Sequence, residues 1–167
     1  MKNIVLIGFM GVGKSTIARL LSEQIPNTYV LDTDSLIENI KNTTIKNIFD
    51  TQGEKYFRQI EQQTANWLES SVKNSIIATG GGFYKVKNLK SIGLVIYLKN
   101  DFENIINNLK NTDTQELEKR PLLSNLQKAK ELYVKRAKDY TKKAELIIDI
   151  SHNSVGKAIE QIVQGLG

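Results

Sequence analysis

The stretch Gly8-Phe9-Met10-Gly11-Val12-Gly13-Lys14-Ser15-Thr16 decides how this chain is read. It fits the pattern G-x-x-x-x-G-K-[ST], and it lies between an apolar run, Asn3-Ile4-Val5-Leu6-Ile7, and a helix signal at Ile17, Leu20 and Leu21. A polyphosphate is wrapped by backbone N–H groups, which calls for glycine wherever a side chain would block the approach or φ must be positive. Lys14 supplies a mobile point charge for the β- and γ-phosphates, and the Ser15 hydroxyl can ligate Mg²⁺. A helix opening at Lys14 directs its N-terminal partial charge at the anion. A plain glycine turn would not require lysine and serine at those places. Gly11, Val12, Gly13, Lys14, Ser15 and Thr16 are therefore the nucleotide-binding candidates.

The remaining composition narrows the class. With 167 residues, 40% hydrophobic and 25% charged, the chain fits one globular domain, 1–167, with a sizeable core. No apolar run approaches the ~18 residues of a membrane span, and the first strand leaves no room for a signal peptide, so a cytoplasmic monomer is expected. The absence of cysteine excludes disulfides and thiolate metal sites; a single histidine, His152, argues against a histidine metal site or triad. The net charge of +5 invites a nucleic-acid reading, but the lysines are scattered and no reading motif accompanies them. A basic excess also suits a pocket that gathers two anions.

Five apolar runs, at 3–7, 29–32, 75–79, 93–98 and 145–150, alternate with helical patterns. Their near-continuous hydrophobicity predicts strands buried on both faces, and the alternation predicts an α/β fold with a parallel sheet flanked by helices. Such sheets bind ligands beyond the carboxyl ends of their strands. There the sequence places the glycine loop, Asp32-Thr33-Asp34, Gly80-Gly81-Gly82 and Ser151-His152-Asn153, with Asn153 a nucleotide-contact candidate. The polar segment 111–124 reads as a lid or as a solvated loop.

Charged residues supply the chemistry. The third run ends in Thr79, so the Mg²⁺-holding carboxylate falls to Asp32, beside Ser15 as the second metal candidate. Asp34 either accepts an acceptor's hydroxyl proton or caps a helix starting at Ser35. Arg58 and Arg136 fall on or beside core-facing helix stripes (Phe57, Glu61, Ala65, Leu68; Ala129, Leu132, Tyr133, Arg136, Tyr140), where each serves a structural ion pair or grips an anionic acceptor. Gly80, Gly81 and Gly82 form a permissive turn or allow backbone to approach a ligand. Arg120, in the lid segment, is an arginine finger in cis or an exposed surface charge.

Taken together, Gly8–Thr16, Asp32-Thr33-Asp34, Phe49 through Gly53-Glu54, Phe57-Arg58, Glu61, the glycine triplet, Arg120-Pro121-Leu122-Leu123, and Arg136 followed by Tyr140 resemble the shikimate kinase family over nearly the whole length. The resemblance implies a nucleoside-monophosphate-kinase-like fold with sheet order 2-3-1-4-5 and transfer of the γ-phosphoryl group of MgATP to the 3-hydroxyl of shikimate, on the route to chorismate and aromatic amino acids. It implies catalytic roles for Lys14, Asp34 and Arg120, and Mg²⁺ on Ser15 and Asp32. Shikimate would be held by Asp34, Arg58, Gly80, Gly81, Gly82 and Arg136, within a region about 33–61. Many relatives carry an adenine-packing arginine several residues before the Arg-Pro-Leu-Leu; the basic candidate for that position here is Lys110. Two alternatives share the pattern: another small-molecule kinase of this fold, gluconate kinase-like, and a catalytically silent binding module.

Overall fold

Asn3–Ile7 (β1) is buried along its whole length, as a strand flanked on both edges and covered on both faces must be. The computed structural model describes residues 2–111 and 124–167. Within them β1 is followed by α1 (Lys14–Gln24), β2 (Tyr29–Asp32), α2 (Thr33–Lys41), α3 (Ile45–Ser71), β3 (Ser75–Ala78), a 3₁₀ turn (Phe83–Lys85) and α4 (Leu89–Ile92). Then come β4 (Gly93–Lys99), α5 (Phe102–Lys110), α6 (Leu126–Lys143), β5 (Leu146–Asp149) and α7 (Val155–Leu166). All strand pairings are parallel, in the order β2-β3-β1-β4-β5. Asn3 pins one end of this array: its side chain donates to Val72 O and Ile92 O and accepts from Ser75 N.

Alternate strand residues feed two separate cores. Val5, Ile7, Ile77, Val95 and Tyr97 face α3, the 3₁₀ turn, α4, α5 and α6. Ile4, Leu6, Ile76, Ala78, Ile96 and Leu98 face α1 and α7. A third cluster, Ile37, Ile48, Phe57 and Ile60, joins α2 to α3 away from the sheet and gives the 33–61 region a core of its own.

Two expectations are corrected. The edge strands are not covered on both faces, since Tyr29 is 79% and Ile147 44% exposed; an apolar run does not reveal whether a strand lies inside or at the rim. Second, α2 begins at Thr33, and its cap is Asp32, whose Oδ1 accepts from Ser35 N at 3.0 Å, so Asp34 is not the capping residue. The helix expected from Gly53 to about Val72 is present as the longer part of α3, set off from the preceding turns by Gly53, where φ 81 and ψ 170 interrupt the hydrogen-bond ladder. The segment 111–124, with Arg120, lies outside the described residues except for Asn111 and Ser124.

Candidate active site

The loop after β1 turns into α1 through Gly13, whose φ of 101° is open to glycine alone without strain and which leaves the first amides of the helix unpaired by any side-chain cap. Lys14 lies back along this loop, its Nζ donating to Gly8 O at 2.6 Å and Phe9 O at 2.9 Å. Ser15 Oγ donates to Asp32 Oδ2 at 2.9 Å, so the two expected metal ligands already touch. This is an all-oxygen pair, the donor type Mg²⁺ takes when phosphates and water complete its shell. Among the described residues no group of three or more histidine, cysteine or carboxylate side chains could hold a metal ion.

The glycine triplet is a floor on which three charged side chains stand in order. A methyl group on Gly80 would lie 2.5 Å from Asp34 Oδ1, and one on Gly81 would lie 2.9 Å from Arg136 Nη1. On Gly82 it would collide with Arg58 Nη1. The triplet is therefore glycine because side chains press against it, a reason beyond the ligand approach expected from sequence. The same position on Gly81 is 3.8 Å from the backbone nitrogen of Met10, which brings the triplet alongside the phosphate loop. Gly80 N donates to Thr33 Oγ1 at 2.9 Å and Tyr140 OH to Gly81 O at 2.6 Å, tying the floor to α2 and α6.

Charge in this pocket is unevenly compensated. Burial, with Asp32 and Glu61 adding repulsion, pushes the Asp34 carboxyl up to about 6, although Lys14 draws it down. Its Oδ1 is buried without a hydrogen-bond partner. Arg58 donates to Glu61 Oε2 at 2.6 Å and, through Nε and Nη2, to Glu54 Oε1 at 3.3 and 3.1 Å. Glu61 is only 1% exposed, and burial raises its carboxyl against the opposing pull of Arg58 and Arg136. Arg136 is 9% exposed, makes no ion pair among the described residues, and leaves Nε without a partner. The stripe reading placed Arg136 on the core side of its helix and Arg58 beside the stripe, within reach of Glu61. Only Arg58 is ion-paired; Arg136 keeps its charge for something else.

Of the nucleotide candidates, Gly11 to Thr16 form the loop and the first turn of α1. Lys110 is an exposed residue at the end of α5; Leu109 beside it packs where a Gly11 side chain would stand. Asn153 donates to Asp149 O at 2.9 Å, a local closure of the turn after β5. Sequence reasoning missed Thr33 as the tie to the triplet and the contact from Tyr84 OH to Asp139 Oδ2 at 3.1 Å, which joins the 3₁₀ turn to α6. It also missed Lys85, whose ammonium is disfavoured by burial and by Arg58 and Arg136. The contact to α6 had a signal: Asp139 lies three residues after Arg136, on the same helical face.

Comparison with known proteins places this arrangement. A family model for shikimate kinase matches residues 10–167. A shikimate kinase of Helicobacter hepaticus is 44% identical over 149 residues, covering 89% of this chain and 87% of that one. The structure of a shikimate kinase from Acinetobacter baumannii in complex with shikimate superposes with a TM-score of 0.85 at 32% identity, covering 99% of this chain and 93% of that one. That of the Aquifex aeolicus enzyme gives 0.80 at 31%, covering 98% and 95%. With a phosphate loop, an acidic pair and a glycine floor bearing Asp34, Arg58 and Arg136, the chain belongs to the shikimate kinase family.

Proposed function

We propose that the chain transfers the γ-phosphoryl group of ATP to the 3-hydroxyl of shikimate, giving shikimate 3-phosphate and ADP. One observation carries the choice of acceptor: Asp34 and Arg136, each with a buried polar atom lacking a partner, stand over adjacent glycines beside the phosphate loop. A compact hydroxy acid satisfies both at once, its hydroxyls donating to Asp34 and its carboxylate accepting from Arg136. A nucleotide acceptor would leave the guanidinium facing a base and a silent module gives no reason to keep that charge buried, whereas gluconate also carries a carboxylate and is separated from shikimate by the turnover assay.

The chemistry follows from position. Gly11 to Thr16 wrap the β- and γ-phosphates with backbone N–H groups, and Lys14 leaves its own loop carbonyls to contact the transferred group. The acceptor oxygen forms its bond to the γ-phosphorus as the bond from that phosphorus to the ADP oxygen breaks. Asp34 takes the hydroxyl proton; its raised affinity for protons makes it a stronger base while it stays ionised at neutral pH. Ser15 and Asp32 would hold Mg²⁺, which when bound neutralises phosphate charge. Arg120, in the proposed lid about 111–124, would offset charge on the moving group, and Lys110 and Asn153 remain proposed adenine-side contacts. Residues 1–167 would work as one kinase domain, a monomer in the cytoplasm, with the acceptor region about 33–61. No described helix is long and apolar enough to cross a membrane.

Arg136→Ala tests the acceptor assignment. The variant is expected to lose about 2–5 kcal/mol of shikimate binding, the range for breaking a buried charged contact, with ATP binding unchanged. Calorimetric titration with each ligand separately reads the split; equal weakening for both would mark Arg136 as structural.

A further inference from the structure

Both edges of the Arg58 guanidinium are occupied, and by unlike partners. Nη1 is held by Glu61, whose side chain is 2% exposed. Nε and Nη2, the edge whose two parallel donors match a carboxylate, are held by Glu54, whose side chain is 59% exposed. Glu54 directly follows Gly53, the residue at which the helical ladder is interrupted, and nothing lies within 4 Å of where a Gly53 side chain would project. One partner is thus fixed in the core; the other is a surface carboxylate beside a break in the backbone with open space around it.

We propose that Glu54 is an internal stand-in for the acceptor's carboxylate, holding the Nε/Nη2 edge of Arg58 until the acceptor displaces it and thereby setting acceptor affinity. The inference rests on the reading of shikimate as acceptor. Without Glu54, a largely buried fork would have lost water and gained nothing; with it, Arg58 waits in the orientation a carboxylate needs. Displacing an exposed partner is cheap, and the incoming carboxylate restores what is lost. An acceptor without a carboxylate cannot make that exchange, so the same contact works against wrong substrates.

The test is calorimetric titration with shikimate of the full-length protein, of Glu54→Gln, and of Asp50→Asn as a charge control. Asp50 lies four residues earlier, is exposed, and pairs with Lys46 at 3.8 Å. Glu54→Gln is expected to bind shikimate about two- to fivefold tighter, the equivalent of removing one exposed ion pair. KM for ATP should be unchanged, and Asp50→Asn should bind as the parent does. Unchanged or weaker binding by Glu54→Gln would show that Glu54 is a bystander or a prop for Arg58, and tightening by Asp50→Asn to the same degree would reduce the effect to general charge. A shikimate-bound crystal structure of the unaltered protein with Glu54 still on Nε and Nη2 overturns the proposal equally. Normal turnover of shikimate alongside any of these results would overturn this proposal alone, whereas a parent protein that neither binds nor phosphorylates shikimate removes the acceptor assignment as well.

Discussion

Lys14→Ala is expected to cut turnover by at least about 10²–10³-fold, the effect of deleting one preorganised electrostatic contact to a transition state, while the protein stays folded. The reasoning is local. Lys14 bonds the carbonyls of Gly8 and Phe9 within its own loop, and each such bond from a charged donor contributes about 1.5–3 kcal/mol net, less than the stability of a domain. The first strand and α1 are anchored independently through Ile4, Leu6, Ile17 and Leu21. A single cooperative melting transition at a somewhat lower midpoint than the parent's, with ADP release cut by at least that factor, is the predicted pair of results. Substantial activity in the purified variant would refute the role given to Lys14.

Asp34→Asn has the second large effect, and it acts on activity and stability in opposite directions. Activity should fall by about 10²–10⁴-fold, the usual worth of a positioned base. Stability should rise, with a definite dependence on pH. The folded protein holds the Asp34 proton up to about pH 6, whereas the unfolded chain releases it near 3.8, so the native state binds more protons between those values. Its stability therefore falls as pH rises through that window and stays lower above it. Removing the charge returns at most about 3 kcal/mol above pH 6 and nothing below about pH 4. Thermal melts of both proteins at pH 4, 6 and 8 would show curves that separate upward; a variant less stable than the parent at pH 8 would mean that Asp34 is a structural contact. For the parent, kcat/KM for shikimate should rise as pH passes about 6.

Local pattern made much of this legible. The phosphate loop, the five strands and the helix at 126–143 are stretches in which neighbouring residues specify one another, and the structure places them within a residue or so of expectation. The order of the strands came from family resemblance, since no periodicity says that β3 inserts between β1 and β2. What stayed hidden depends on distant chain. Asp32 and Asp34 have the same chemistry two residues apart, and only the backbone turn at 32 makes one the cap and brings the other against Gly80. The raised proton affinity of Asp34 owes part of its origin to Glu61, on another helix. Likewise the exposure of Tyr29 reflects the place of β2 at the edge of the order β2-β3-β1-β4-β5, a property of the assembled sheet.

The central claim is that the buried carboxylate over Gly80 and the guanidinium over Gly81, which makes no ion pair among the described residues, receive shikimate next to the phosphates of ATP. The most direct measurement is a coupled ADP-release assay with purified protein, MgATP and, in parallel, shikimate, gluconate and nucleoside monophosphates. ADP formation that depends on shikimate and matches the shikimate 3-phosphate formed mole for mole, with the other acceptors at background, is the predicted result. No ADP with shikimate beside clear turnover of gluconate or a nucleotide would contradict it.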